Sequence, residues 1–277
     1  MMPFKTIVVA ASGEPDDAAA LRAAAQLAVK DGGHVRVIPA FPDAAADYAN
    51  YGLATGDVAA RSQVMERLRA AEAGAQTQIE TTARDVTKSA GLVPERLVVD
   101  KRDLAPVLAL AHAAVLADLA VFGVESVREH GLGGCFAETL LNARAPVLLV
   151  RGPAFAAEQI AIAWDGSLEA GRAVRAATPL LQGAKSIVAI TNADDADHPA
   201  VETTALASYL ALHGVTNLSF RNATGREVGK SLLEEAAACD VLVAGGYGRP
   251  RFYELVLGGT TRTLVNAPKG PHLLLAH

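Results

Sequence analysis

The chain has 277 residues, of which 51% are hydrophobic and 20% are charged, with a formal net charge of −5. This composition excludes a disordered chain and favours one large globular domain or two of common size. The acidic balance disfavours nucleic-acid and anionic-membrane partners, because both attract basic surfaces. The two cysteines, Cys135 and Cys239, are too few for a disulfide framework and lack ligand spacing with histidine. This predicts a reducing compartment and no metal site.

The amino terminus leads into a short strand-like run, residues 6–11, and lacks the apolar region and cleavage site of a signal peptide. Nowhere do 18 apolar residues follow one another without a charge. Along the rest of the chain, short β-branched runs alternate with Ala- and Leu-rich helical segments, a pattern typical of βαβ units around a parallel sheet. We therefore predict a cytoplasmic α/β protein.

The chain is a tandem duplication, a pattern that decides the fold when it is present. Three pairs of segments carry the repeat, at separations of 153, 122 and 125 residues: 7–13 with 160–166, 118–123 with 240–245, and 133–134 with 258–259. The changing separation shows that the first half has gained about thirty residues early and has lost three after Gly123.

The extra residues of the first half include a loop, 47–52, and a proline-free stretch, 57–90, that predicts one long helix. A glycine and a proline interrupt the periodicity near residue 152 and predict a linker. We therefore divide the chain into a first half, 1–152, which contains the inserted helix, and a second half, 153–277.

Glycines cluster behind an apolar run of the second half, residues 241–244. They fall in two groups separated by nine residues: Gly245, Gly246 and Gly248, then Gly258 and Gly259. Glycine lets backbone N–H groups approach an anion closely, and a helix that begins near Gly259 would add its dipole. The arrangement predicts a phosphate-binding loop.

With these features the chain resembles the universal stress protein family in its tandem form. Nucleotide-binding members of that family carry Gly, two residues, Gly, nine residues, Gly, then Ser or Thr, after the fourth strand. Gly245, Gly248 and Gly258 fit this spacing, and Asp165 fits the family's adenine-side aspartate. The resemblance implies two open, parallel, five-stranded sheets in the order 3-2-1-4-5, with helices on both faces, in a Rossmann-like α/β fold.

The resemblance also implies that the second half binds ATP, with Mg²⁺, or a related adenine nucleotide. Four backbone N–H groups would face the phosphates, those of Gly246, Gly248, Gly258 and Gly259. Arg249 would screen the phosphate charge from the loop itself.

Two residues would contact the nucleoside. Asp165, at the carboxyl end of the first strand of its half, would orient adenine or ribose. The same residue also reads as the N-cap of the next helix. Ile190, read as the end of the second strand, would supply apolar contact to the base.

Gly259 departs from the family pattern, which has Ser or Thr at this position. The missing hydroxyl removes a donor worth about 1.5–3 kcal/mol against a charged oxygen, but the backbone N–H remains. Thr260 is adjacent and could supply a hydroxyl instead.

The first half departs further from the pattern. Ser12 stands where the second half has Asp165, and Ser126 stands where it has Gly248. Glu125 and Glu129 add negative charge where a triphosphate would lie. We therefore expect this half to be empty and to act as a structural partner.

Two enzyme patterns fail on inspection. Residues 225–231 resemble a Walker A loop but have three residues instead of four between the glycines, so we read them as a turn and a helix start. The turns after the first strand of each half, 11–14 and 164–167, match poorly the phosphate loop of ATP pyrophosphatases. No catalytic residue is predicted, and at most slow ATP hydrolysis is expected.

Two functions remain. The first is an ATP-binding stress-response regulator, and the second is a scaffold or interaction module of the same fold without nucleotide. The last strand of each half, 147–150 and 273–275, is apolar and would pair with the other, because an exposed apolar edge invites association. The chain would thus contain its own dimer, and a further homodimer is compatible with it.

Overall fold

The computed structural model describes residues 3–41, 58–101, 105–192, 202–246 and 259–277. Several predicted features lie outside these ranges: the loop 47–52, and Gly248, Arg249 and Gly258 of the glycine segment.

Within the described ranges, ten strands form one sheet with helices packed against it. The strands are β1 Thr6–Ala11, β2 His34–Pro39, β3 Leu97–Val99, β4 Leu119–Gly123, β5 Val147–Val150, β6 Gln159–Ala163, β7 Ser186–Asn192, β8 Leu218–Ala223, β9 Val241–Gly245 and β10 His272–Ala276. The α-helices are α1 Asp17–Asp31, α2 Val58–Ser89, α3 Pro106–Ala114, α4 Val124–Arg128, α5 Gly133–Leu141, α6 Leu168–Leu181, α7 Thr204–Leu212, α8 Val228–Glu235 and α9 Gly259–Asn266.

The strand order is β3-β2-β1-β4-β5-β10-β9-β6-β7-β8. Each half therefore has the order 3-2-1-4-5, as predicted. The two predicted sheets are joined into one, because β5 and β10 pair in antiparallel fashion with Leu148 opposite Leu274. This pairing of the last strands confirms the prediction, and it satisfies backbone groups that two apolar edge strands would otherwise expose.

The core lies on both faces of the sheet, as expected for parallel strands. Along β1, Ile7 and Val9 pack into the cluster under α1, α2, α6 and α7, whereas Val8 and Ala10 pack into the cluster under α3, α5, α8 and α9. The alternation follows the two-residue period of a strand. Most strand residues that face this core are apolar, and the buried polar residues Asn192 and His272 lie at strand ends.

The duplication is visible in hydrogen bonds as well as in sequence. The Asp118 carboxylate accepts from the backbone N–H groups of Lys5 and Thr6, each at 2.8 Å. In the second half, Asp240 accepts from Glu158 and Gln159 at 2.8 and 2.9 Å. Equivalent aspartates, Asp118 and Asp240, thus fix the start of the first strand in the two halves.

The inserted helix α2 spans Val58–Ser89, which confirms the long helix predicted over 57–90. Its carboxyl-terminal part is held by Ile79 and Ala83, which are buried in the core cluster shared with α1. Among the helices within the described ranges, none is both long enough and apolar enough to cross a bilayer.

The Walker-like segment 225–231 forms the turn between β8 and α8 together with the first residues of α8, as predicted. The Ser231 hydroxyl, which would bind magnesium in a true loop of this kind, donates to the carbonyl of Thr224 at 2.8 Å. Gly229 lies against α9, where an added Cβ would come 2.7 Å from Cβ of Thr263. The hydroxyl and the glycine of this segment are therefore used in contacts within the protein, and the segment does not form a phosphate-binding loop.

Candidate functional site

The carboxyl ends of β6 and β9 mark the point where the strand order of the second half reverses, and we call this point the crevice. The two strands are parallel neighbours, with Ile162 opposite Val243, and the chain leaves them toward opposite faces of the sheet. Ligands of open α/β sheets bind at such points. Five predicted site residues lie at these strand ends or at the start of α9. We call them the candidate site: Asp165, Gly245, Gly246, Gly259 and Thr260.

Gly245 is required by packing at the end of β9. A Cβ at this position would lie 2.6 Å from the backbone nitrogen of Ala170 and 2.8 Å from the carbonyl carbon of Glu169. Both are backbone atoms in the first turn of α6, so rotation of a side chain could not relieve the clash. The glycine thus brings β9 directly against the start of α6.

Gly246 does not play its predicted role. Its backbone N–H donates to the carbonyl of Ala276 at 2.8 Å, so it does not face a phosphate. The reason is that the hydrogen-bonded pairing of β9 with β10 continues one residue beyond Gly245. The anion-binding groups of the predicted loop must therefore come from later residues.

Asp165 shapes the turn between β6 and α6. Its Oδ1 accepts from the backbone N–H of Ser167 at 2.9 Å, and Gly166 between them has φ of 74°. The N-cap of α6 is Ser167, whose Oγ accepts from Ala170 N–H at 3.1 Å. The N-cap interpretation of Asp165 is therefore wrong, and its half-buried carboxylate stays at the crevice.

Ile190 does not end its strand, because β7 continues to Asn192. Its side chain is fully buried in the cluster under α8 and α9. Its carbonyl accepts from the backbone N–H of Trp164, which precedes Asp165, at 2.9 Å. In this structure Ile190 therefore supports the crevice from inside and presents no surface to a base.

Gly259 begins α9, as predicted, and both Gly259 and Thr260 are exposed. A Cβ on Gly259 would meet no heavy atom of the described residues within 4 Å outside its own turn. The first N–H groups of a helix lack partners within it, and its amino end carries partial positive charge. Within the described part of the chain, no residue covers Gly259 at the start of α9, and this end of the helix suits an anion. The remaining predicted contacts, Gly248, Arg249 and Gly258, lie outside the described residues.

At the equivalent place in the first half, the protein supplies its own carboxylate. Oδ2 of Asp16 accepts from the backbone N–H of Ser126 and Oδ1 accepts from its hydroxyl, both at 2.8 Å. A Cβ on Gly123 would lie 2.1 Å from Oδ2 of Asp16. Asp16 therefore caps α4, although it lies directly before α1 in the chain.

A second carboxylate is buried beneath the first. Asp17 is 2% exposed and accepts from the backbone N–H groups of Ser12 and Gly13 at 3.1 and 2.7 Å. Burial raises the pKa of its carboxyl from 3.8 to about 6, against the opposing effect of these hydrogen bonds. The hydroxyl of Ser12 also lies 3.2 Å from that of Ser126, so the cluster is continuous.

The structure shows a further charge in the first half that the sequence analysis did not predict. Glu125 forms an ion pair with Arg128 at 3.2 Å, and Glu129 lies 3.8 Å from the same guanidinium. The charge that occupies the position is Asp16. Sequence reasoning missed it because 110 residues separate it from Ser126, although the acidic pair at 16–17 and the serine in place of Gly248 were visible signals.

The duplication relates each of these groups to a residue of the second half. Glu169 occupies the position of Asp16, and Ala170 occupies that of Asp17. An Oε1 of Glu169 lies 3.8 Å from Nη1 of Arg172, so a cation accompanies this carboxylate. The second half thus has no buried acid at the position of Asp17. At the position of Asp16 it has Glu169, with the positive charge of Arg172 beside it.

These features define a doubly wound α/β protein with two fused copies of one unit and a glycine-rich sequence after the fourth strand of the second copy. A family model described as "Universal stress protein family" matches residues 3–151, which is more than half of the chain. The chain belongs to the universal stress protein family, and the resemblance seen in the sequence is confirmed.

Solved structures agree with the fold. A universal stress protein from Archaeoglobus fulgidus DSM 4304 is 15% identical, with a TM-score of 0.66 over 99% of this chain and 97% of its own. A putative universal stress protein from Pseudomonas aeruginosa UCBPP-PA14 is 14% identical, with a TM-score of 0.57 over 99% and 93%. A universal stress protein in complex with cAMP is 24% identical over 54% and 98%, but its TM-score is only 0.36. A search of curated proteins gave no match.

The family match lies on the first half, which departs more from the glycine signature. The strands and helices of the unit are present in both halves, whereas the glycine spacing is present only in the second. Family membership therefore follows the fold of the unit and leaves open which half holds a ligand.

Proposed function

We propose that the second half binds ATP, accompanied by Mg²⁺, or a related adenine nucleotide, and that the protein acts as a stress-response regulator through this ligand. The phosphates would lie at the open start of α9, and Asp165 would face the nucleoside from the end of β6. Catalysis is not part of the proposal beyond slow hydrolysis. Association of two chains is compatible with it.

One observation carries this proposal, namely the Asp16 carboxylate at the start of α4. The backbone N–H and the hydroxyl of Ser126, shortly after the fourth strand, hold an anion in the first half, and the anion is part of the chain. Since the second half repeats the same unit, we expect the backbone that corresponds to Ser126, at Gly248, to suit an anion as well. Its spacing of glycines matches the signature of nucleotide-binding relatives, which indicates phosphate.

The proposal can be tested by titration with Mg·ATP. Trp164 is the single tryptophan of the chain and directly precedes Asp165, so its fluorescence reports on the crevice. We expect saturable quenching, a matching calorimetric isotherm, and adenine nucleotide in mass analysis of the denatured purified protein.

A gain-of-affinity variant sharpens the test. Gly259→Ser restores the hydroxyl of the family pattern in open space, and we expect it to tighten ATP binding about tenfold. Absence of binding by both proteins, with no thermal shift on adding Mg·ATP, would remove the proposed function.

The second candidate is an interaction module without nucleotide. Two observations favour it. The Gly246 N–H is hydrogen-bonded to the carbonyl of Ala276, and position 259 lacks the hydroxyl of the family pattern. Under this function, neither Gly259→Ser nor the wild-type protein would bind Mg·ATP in the titration.

A further inference from the structure

Arg151 joins the two halves at the helix that begins in the candidate site. It follows β5 of the first half directly, and its side chain reaches the other end of α9 in the second half. Its guanidinium donates to the carbonyls of Leu264 and Ala267, and its Nε donates to that of Pro271 at 3.0 Å. These carbonyls lie at and just beyond the carboxyl end of α9, where a helix leaves its acceptors without partners.

The helix held in this way depends on such contacts. α9 has eight residues, and a helix of this length is marginal without tertiary support. A guanidinium offers five donors in a rigid plane and places positive charge at the negative end of the helix dipole. Arg151 can therefore fix both the position and the direction of α9, whose other end is Gly259.

Burial acts against this cation, and the two nearest charges of the first half act on it in opposite directions. The pKa of Arg151 falls to about 10, chiefly because burial disfavours the charge, while Arg128 repels it and Glu125 attracts it. Arg151 is still charged at neutral pH. Both neighbours lie on α4, the helix capped by Asp16, and α4 also contacts α9.

The start of the glycine segment rests on the first half as well. A Cβ on Gly246 would lie 3.1 Å from Cδ2 of Leu140, a residue of α5. The described residues on both sides of the segment, Gly246 and α9, are thus seated against the first half. The candidate site is not supported by the second half alone.

The arrangement has no counterpart in the reverse direction. At the separation of 125 residues, Arg151 corresponds to Ala276, whose methyl group cannot reach the carbonyls of α5. The first half therefore contacts the carboxyl end of α9 through Arg151, and the second half makes no equivalent contact with the carboxyl end of α5 from Ala276.

We propose that Arg151 is a positioning residue for the nucleotide site, holding α9 from its carboxyl end so that ATP affinity of the second half depends on the first. This inference rests on the proposed function. It makes the first half an active support of the site, beyond its predicted role as a structural partner.

The test is calorimetric titration with Mg·ATP of the wild-type protein and of Arg151→Gln, Arg151→Lys and Arg221→Gln. Arg221 is a matched control, because its Nη1 donates to the carbonyl of Glu235 at the end of α8, at 3.0 Å, away from the candidate site. We expect Arg151→Gln to weaken binding about tenfold, Arg151→Lys to recover part of this loss, and Arg221→Gln to stay within about twofold.

Hydrogen exchange separates positioning from general destabilisation. In Arg151→Gln we expect faster exchange at the amides of α9 than in Arg221→Gln, when the two are compared equally far below their melting temperatures. If Arg151→Gln does not fold, Arg151→Lys carries the test, with an expected loss of about threefold.

Undiminished binding by Arg151→Gln, or an equal loss in Arg221→Gln, would overturn the inference alone. Absence of binding by the wild-type protein would overturn the proposed function and the inference together.

Discussion

The two halves of this chain share a backbone frame but treat the same position in opposite ways. After the fourth strand of the first half, the Asp16 carboxylate caps α4 and a second acid, Asp17, is buried beneath it. After the fourth strand of the second half, Glu169 has Arg172 beside it and Ala170 replaces the buried acid. Two adjacent residues that no glycine motif includes thus determine whether the chain places its own carboxylate at this position.

The largest expected effect concerns the two glycines that end the fourth strands. In Gly245→Ala the new Cβ meets backbone atoms of α6, so we expect a loss of about 3 kcal/mol in the free energy of unfolding. In Gly123→Ala it meets the Asp16 carboxylate, which can turn away, and the loss should be about 1–2 kcal/mol of hydrogen bonding. Urea denaturation checks both values, and an equal cost would show that the two turns are built alike.

The second effect is a pH dependence that comes from Asp17, a buried acid without an equivalent in the second half. The pKa of Asp17 is raised by burial from 3.8 to about 6, so the folded state binds its proton more tightly than the unfolded state. This contribution is fully present below about pH 3.8 and is lost as the pH rises through about 6. Relative to Asp17→Asn, the wild-type protein should therefore lose about 2–3 kcal/mol of stability between pH 4 and pH 7.

Thermal unfolding of both proteins across that pH range measures the difference. A constant difference between them would contradict the burial of a protonated acid at this position. Ala170 cannot titrate, so no matching dependence is expected from the second half.

The smallest effect compares the two equivalent acids. Asp16→Ala leaves the Ser126 N–H without its acceptor and should cost about 1–2 kcal/mol. Glu169→Ala removes a long ion pair with Arg172 and should cost about 0.5 kcal/mol or less. Chemical denaturation of the two variants should rank them in this order. The reverse order would mean that Asp16 is not the internal anion of the first half.

Much of the fold could be predicted because it is encoded by local patterns. Apolar runs placed the strands, the family resemblance implied their order in each half, and the apolar last strands predicted the junction between β5 and β10. The inserted helix was predicted to within one residue at each end, because no proline or turn signal interrupts it. These features depend on periodicity along the chain.

The site could be predicted only in part, because its remaining features depend on contacts between distant residues. The bond from Asp16 to Ser126 and the reach of Arg151 to α9 link positions more than 100 residues apart. The use of the Gly246 N–H by Ala276 depends on how far a strand pair extends, which a glycine pattern does not specify. The N-cap is Ser167 instead of Asp165 for a local reason, since either residue type caps a helix.

The central claim is that the second half, and not the first, holds the nucleotide. It is tested most directly by Mg·ATP titration of Gly259→Asp beside its counterpart Gly134→Asp in α5. Both positions are exposed, and an acid near the start of a helix should leave folding intact or improve it by about 0.3–1 kcal/mol. The account predicts one ATP per chain, at least about tenfold weaker binding in Gly259→Asp, and unchanged binding in Gly134→Asp. Loss of affinity in Gly134→Asp with normal affinity in Gly259→Asp would contradict it.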